Sequence, residues 1–395
     1  MLSALLLIAC VEPTPTSLDS GAPSADDGDP VVLDDVLGAL RADPTAAMLD
    51  RSRANGWPAP VEGGWLFVHA MGPNFELAGE HSEWAPEAMN QEAGFAWLVR
   101  AGDSGGGYKF TDGDEWIADP WARAYGYDEF GELSVIPGAP GAHLERQFEV
   151  QGQGLEARTL RLWVPDGEHT HTLYMMDGQN LFDPAAPHGG WQLQDAIPAG
   201  VLVVGIDNTG ARMEEYTPVE DVISGERYGG AGAAYGTFVQ QDIRPLINGI
   251  YGAEGRVGLL GSSLGGLISY AIAAQYPDEY AFSGSMSGTM GWGSIGASNP
   301  TMIDVYAAMA HRSTALFLDS GGEGSCADTD GDGIEDDAPD GADNYCENLQ
   351  LRDVLAGAGF RYDVDLWHWW EPGAEHNEAA WADRVHRPLS IFAAL

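Results

Sequence analysis

The stretch Arg256-Val-Gly-Leu-Leu-Gly-Ser-Ser-Leu-Gly-Gly-Leu-Ile-Ser-Tyr270 decides how this chain is read. Val257 to Leu260 is a short apolar run of the kind that forms a strand buried on both faces. It leads straight into Gly261-Ser-Ser-Leu-Gly265, a G-x-S-x-G, and then into an apolar helical pattern that Pro277 stops. Strand, tight turn and helix in that order are the setting of a nucleophile elbow. The turn is so sharp that flanking side chains would clash, so glycine stands on both sides. Ser263 is expected at the apex, with its hydroxyl above the sheet and a helix N-terminus behind it that favours developing negative charge.

A serine hydroxyl needs a base, and the base needs an orienting acid, in the chain order Ser, acid, His for this architecture. The base is expected at His376, in a Gly-bearing loop after the last strand and before the final helix. His368 alternates with large aromatics inside that strand and reads as packing. The acid should follow the strand Thr314 to Leu318. Glu323 is the first choice, with Asp319 and Asp343 as the other candidates. Two N–H groups must meet the oxyanion. One is assigned to Leu264, directly after the serine, and the other to Gln179 in the loop Asp177-Gly178-Gln179 after an early strand.

Working outward, residues 138–395 alternate strand and helix. Strands are predicted at 146–150, 158–164, 171–177, 201–206, 256–260, 281–286, 314–319 and 362–369. Helices are predicted at 191–197, 233–250, 264–276, 301–312, 344–357 and 377–394. Early hairpin strands followed by alternation imply a mostly parallel central sheet with helices on both faces, the α/β class. Residues 57–137 differ: short strands at Trp65–Val68, Ala96–Val99 and Tyr108–Phe110, separated by Gly, Pro and Asp turns, imply a small all-β sandwich. Residues 31–56 carry helical spacing. Residues 11–30 are Pro, Thr, Ser, Asp, Ala and Gly, which read as an acidic disordered tether.

Residues 142–395 resemble the esterase D / enterochelin-esterase-like branch of the α/β hydrolases, which includes feruloyl and acetyl-xylan esterases and is akin to the mycolyltransferases. The matching residues are Tyr174-Met-Met-Asp-Gly-Gln-Asn-Leu-Phe182, Val203 to Asn208 with Arg212 and Glu215-Tyr-Thr-Pro218, the Ser263 elbow, and Glu375-His-Asn-Glu-Ala-Ala-Trp381. The resemblance implies serine ester hydrolysis by Ser263 and His376, with the Asp177 loop beside the oxyanion and no cofactor for catalysis. Residues 57–137 resemble the early-set (immunoglobulin-like), glycogen-binding type of carbohydrate module, on Phe67-Val68, Trp84, Gly107-Tyr-Lys-Phe110, Asp114-Glu-Trp116 and Asp119-Pro120. Trp84, Trp97, Trp116 and Trp121 are its candidates for stacking on sugar rings.

An insertion after Asp319 interrupts the resemblance. In it Asp328, Asp330 and Asp332 alternate and Gly333 follows, the opening of a calcium loop. The carbonyl of Ile334 takes the seventh place. The twelfth position is Pro339, so Asp336, Asp337 or Asp340 must stand in for the usual acid. The run is similar to the calcium repeats of thrombospondin type 3, and the ion would be structural.

The N-terminus carries an address. Residues 1–10 end Leu7-Ile8-Ala9-Cys10, which resembles a bacterial lipobox and makes Cys10 a lipidation site, although no basic segment precedes it. With Cys10 used by lipid, Cys326 and Cys346 remain to pair around the acidic insertion at 326–346, which implies an oxidising compartment. The expected place is the bacterial cell envelope, with membrane contact only through the anchor. The net charge of −42, from 60 acidic and 18 basic residues, excludes nucleic acid as a partner.

These readings converge on a serine carboxylic-ester hydrolase acting on a carbohydrate-linked or other small ester. The alternatives are a siderophore lactone esterase, an acyltransferase to a sugar, and a catalytically silent carbohydrate-binding surface protein. Anionic siderophore esters suit so negative a protein poorly.

Overall fold

The computed structural model describes residues 30–70, 74–138, 140–337 and 343–395. The lipobox with Cys10, the tether through residue 29, Pro339 and Asp340 lie outside them. No helix among the described residues is long and apolar enough to cross a membrane.

The central sheet is built from residues that can be buried on both faces. Its order is Leu366–Trp370, Ala315–Ser320, Phe282–Met286, Arg256–Ser262, His171–Met176, Val201–Ile206, Arg158–Val164 and His143–Val150. The first six pair in parallel and the last two join antiparallel. Along His171–Met176 the pleat sends Tyr174 and Met176 into one apolar cluster and Leu173 and Met175 into the other. The first cluster is closed by the helices Gly232–Phe238, Leu264–Gln275, Met302–Ala308 and Tyr345–Gly357, the second by His386–Ala393 with Trp381 and Trp191.

The register sets Ser262 beside Met286, and Met286 beside Asp319, in one row across the sheet. The loops leaving the parallel strands therefore open on a single edge. Asp177, Asp207, Ser263, Ser287, Gly321 and Glu371 are the residues that follow the strand ends there.

The N-terminal strands form two facing sheets. Gly64–His69 and Phe95–Arg100 lie in one, Glu76–Gly79 and Gly107–Thr111 in the other, with Phe67, Leu77, Leu98, Tyr108 and Phe110 buried between them. The helices Leu33–Ala42 and Pro44–Ala54 cover the outer face of the first sheet through Leu37, Leu40 and Met48. Asp43 starts the second helix by accepting from the Ala46 N–H at 3.0 Å, with Pro44 in the first turn, where its missing N–H costs nothing. The second sheet does not stop at the Pro/Gly segment near 138–145. Ala124–Asp128 pairs antiparallel with His143–Val150, Leu144 against Tyr125 and Glu145 against Ala124, so one sheet runs from the sandwich into the α/β body.

Several predicted elements differ. Residues 191–197 form only the single turn Leu193–Asp195, because Gly189, Gly190 and left-handed Gln192 precede it. The helix predicted at 233–250 contains a wide turn at Val239–Ile243, which accommodates Pro245 where a regular turn would lose its hydrogen bond. The final helix is two, Glu378–Arg384 and His386–Ala393. The last strand begins only at Leu366. A hairpin, Glu220–Ile223 with Glu226–Gly229, adds a small sheet outside the predicted set.

Candidate active site

At the elbow, a Cβ on Gly261 would run into the backbone of Gly265, so neither the turn nor the motif tolerates a larger residue there. Ser263 sits at φ 54°, ψ −125°, outside the regions comfortable for an L-residue, and its N–H donates to Met286 O at 2.9 Å. Such strain, on the order of 1–3 kcal/mol, persists only where the surroundings enforce it. Leu264 is the first residue of the elbow helix, so its N–H has no carbonyl one turn back to bond.

The Asp177 loop stands beside the elbow, since a Cβ on Gly265 would face Met176 and Asp177. Asp177 is left-handed at φ 58°. Its Oδ1 accepts from Arg212 Nε at 2.7 Å and from Asn208 Nδ2 at 2.5 Å, and its Oδ2 accepts from Arg212 Nη2 at 2.8 Å. The fork of Arg212 thus locks a turn that begins the 3₁₀ segment Gly178–Asn180. The Gln179 side chain is tied down as well, its Oε1 accepting from the Asn208 N–H at 3.1 Å. Asn180 Nδ2 donates to Glu378 Oε1 at 3.1 Å, which links this loop to the segment carrying His376.

His376 lies in the loop after Leu366–Trp370. Its Nδ1 is 2.6 Å from Oδ1 of Asp343, and its ring meets Trp381 edge to face at 5.0 Å. A carboxylate only accepts, so the network puts the proton on Nδ1 and leaves Nε2 with its lone pair. Glu323, the first choice for the acid, is solvent-exposed, and the histidine's carboxylate partner is Asp343. The reason is the insertion. The chain leaves the strand Ala315–Ser320, makes its Asp-rich excursion, and returns to the sheet edge only just before the helix Tyr345–Gly357.

Asp343 is seated by groups that sequence reasoning missed. Its Oδ2 accepts from the Ser287 hydroxyl at 2.7 Å, from the Gly321 N–H, and from Arg384 Nη2 at 3.4 Å. Ser287 Oγ in turn accepts from Trp381 Nε1 at 3.1 Å and Arg384 Nη2 at 2.6 Å. Asp319, another candidate acid, pairs with Arg384 instead, Nε to Oδ2 at 3.1 Å. Burial pushes its carboxyl up to about 6 despite that guanidinium. The sequence holds no local signal for Arg384: Arg384 and Arg387 both stand in the terminal helical pattern, and only the fold brings one of them to Asp319.

The disulfide Cys326–Cys346 closes the acidic insertion. One carboxylate oxygen each from Asp328, Asp330 and Asp332 lie within 4.8 Å of one another, all exposed. Asp336, also expected near an ion, lies outside that triple; its Oδ2 accepts from the Thr329 N–H at 2.9 Å and from its hydroxyl. Ile334 is buried and anchors the loop to the body.

A concavity of about 660 Å³ lies on the sandwich, lined by Trp84, Lys109, Trp116, Asp128, Glu129 and Phe130. Trp84 and Trp116 have ring centroids 6.4 Å apart, and Trp116 and Phe130 are exposed. Lys109, the only lysine in the sequence, is buried there with its Nζ 3.5 Å from Asp128 Oδ1. Trp97 and Trp121 are not part of this cleft; both pack against the cluster under the N-terminal helices.

A mostly parallel sheet with a serine elbow and a histidine–carboxylate pair on one edge defines an α/β hydrolase. Residues 157–388 match the family model described as "Putative esterase", and the chain belongs to that family of hydrolases. The curated relative "Uncharacterized protein YbbA" of Bacillus subtilis (strain 168) is 30% identical over 145 residues, 33% of this chain and 57% of that one, so the chain spans little more than half of that relative's length. Among solved structures, an IroE-like serine hydrolase from Shewanella oneidensis is 19% identical, with 63% of this chain and 78% of that one covered at a TM-score of 0.48. The enterobactin esterase FES from Shigella flexneri is 15% identical, with 84% and 93% covered at a TM-score of 0.46.

Proposed function

We propose that this protein is a serine carboxylic-ester hydrolase of the cell envelope, lipid-anchored through Cys10, that acts on carbohydrate-linked or other small esters. The observation that carries the mechanism is the 2.6 Å contact between His376 and buried Asp343, on the sheet edge where Ser263 stands at a strained apex. Ser263 Oγ attacks the ester carbonyl while His376 Nε2 takes its proton. The carbonyl oxygen becomes an oxyanion met by the N–H groups of Leu264 and Gln179. His376 then gives the proton to the departing alcohol, and water repeats the sequence to release the acid and free Ser263. Asp343 holds the imidazole in the required tautomer throughout.

The test is covalent labelling by a fluorophosphonate, followed by mass analysis of the labelled peptide, beside hydrolysis of a panel of acetyl-sugar, feruloyl-sugar and siderophore-lactone esters. Label on Ser263 and turnover of the sugar esters are expected. An unlabelled protein with no turnover on any member would overturn the reading.

The carbohydrate part of the proposal is supported by the sandwich cleft. Aromatic faces offer stacking surface, and Lys109, Asp128 and Glu129 offer the donors and acceptors that sugar hydroxyls need. Trp116→Ala is expected to weaken retention on soluble polysaccharide in affinity electrophoresis by about fivefold, the equivalent of about 1 kcal/mol of lost stacking. Unchanged retention would remove the cleft from the proposal.

A further inference from the structure

The Ser287 hydroxyl has one proton to give and two lone pairs to accept with. Trp381 Nε1 and Arg384 Nη2 both donate to its oxygen, at 3.1 and 2.6 Å, and neither nitrogen can accept. The lone pairs are therefore taken, and the proton has one direction left, toward Asp343 Oδ2 at 2.7 Å. The same Oδ2 accepts from the Gly321 N–H and, at 3.4 Å, from Arg384 Nη2. A Cβ on Gly321 would stand against Asp343 Oδ2, so the close approach of that N–H needs glycine. Oδ1 faces His376 Nδ1 at 2.6 Å. The carboxylate is thus held at one oxygen and offered at the other.

Arg384 ties this arrangement to the sheet. It is buried, its Nε donates to Asp319 Oδ2 at 3.1 Å, and its Nη1 donates to Ala380 O at 3.1 Å. Asp319, in the strand Ala315–Ser320, accepts from the Ser287 N–H through Oδ1 at 3.2 Å. A flat guanidinium serves these directions at fixed angles, which an ammonium does not. Trp381 and Arg384 are three residues apart on the helix Glu378–Arg384 and so leave it on one face. Trp381 also sets its ring edge to face against His376 at 5.0 Å. One short helix therefore supports the base directly and the acid through Ser287. Ser287 itself sits at φ 50°, where glycine would be free of strain. What serine adds at that position is the hydroxyl.

We propose that Ser287 and Arg384 are positioning residues of the esterase that act through Asp343, filling its Oδ2 so that Oδ1 stays aimed at His376 Nδ1. The inference rests on the esterase reading above. A carboxylate free to turn lets the imidazole swing away from Ser263, and a misplacement near 1 Å costs about 10²-fold in rate.

The test uses the full chain. Ser287→Ala removes one oxygen and keeps the backbone bond from the Ser287 N–H to Asp319 O. It is expected to lower kcat on an aryl acetate by about 10²-fold, with KM within about twofold of wild type. Arg384→Lys keeps the charge and loses the fork, and is expected to lose at least about tenfold in kcat. Both changes are repeated in Asp343→Asn protein, with Tm recorded for each. There the further loss is expected to stay under about threefold, because the residue they act through is already gone. A merely structural role would lower Tm and cut the rate by the same factor in both backgrounds. The far-downfield proton resonance of His376 Nδ1–H is expected to shift or broaden away in Ser287→Ala. A full rate in Ser287→Ala, or equal losses in the two backgrounds, overturns the inference. Wild-type protein without turnover and without fluorophosphonate label overturns the esterase reading instead. The seating of Asp343 is then judged by the Nδ1 proton alone, and a resonance unchanged in Ser287→Ala overturns it.

Discussion

Ser263→Ala is expected to bring ester hydrolysis down to background, a fall on the order of 10⁶ in kcat, as removal of the nucleophile does in a Ser-His-acid enzyme. The alanine protein should fold normally, because the backbone bonds at the elbow come from the Ser263 N–H and C=O and not from its side chain. Ser263→Gly should lose activity equally and raise Tm, since glycine relieves a φ of 54°. The measurement is kcat on an aryl acetate, with circular dichroism to confirm the fold. Undiminished turnover by Ser263→Ala would sink the mechanism outright.

Asp343→Asn is expected to lower kcat/KM by about 10³- to 10⁴-fold, the scale seen when an amide replaces the acid of a triad. An asparagine can offer the imidazole an N–H, which selects the wrong tautomer and moves the lone pair away from the serine. Glu323→Gln, on the exposed loop, should leave kcat/KM within about twofold of wild type. Because Asp343 is buried and accepts from Ser287, Gly321 and Arg384, Tm must be followed too. A folded Asp343→Asn protein with a normal rate, or an inactive Glu323→Gln protein, would return the role of acid to the loop.

The parts of this site legible in the sequence were those fixed by short-range rules. A glycine on each side of Ser263, an apolar run before it and a helical period after it are local constraints. So is the position of His376 between the last strand and a helix capped by Asn377. The acid obeys no such rule. Its place is set by the sheet edge in space, and the carboxylate that meets His376 there is Asp343, on the far side of the insertion from the strand Ala315–Ser320. Asp343 was readable only as one of three candidates. Ser287 and Arg384 were not readable, because a serine after a strand and an arginine in a terminal helix are unremarkable until Asp319 and Asp343 converge on them. In the same way, glycines and prolines near 138–141 read as a linker, while the pairing of Leu144 with Tyr125 is a long-range event that punctuation residues do not reveal.

That pairing has a mechanical consequence. Two modules joined by a loose linker sample many separations, so a ligand held by one is presented to the other at a varying distance. Here the strand Ala124–Asp128, which ends at the aromatic cleft with Asp128, is hydrogen-bonded to the first strand of the hydrolase body. Cleft and serine edge then behave as the two jaws of a fixed caliper. On the carbohydrate reading proposed above, a molecule held by the tryptophans would present to Ser263 only a bond lying one set span away, so selectivity would be read from length as well as from chemistry.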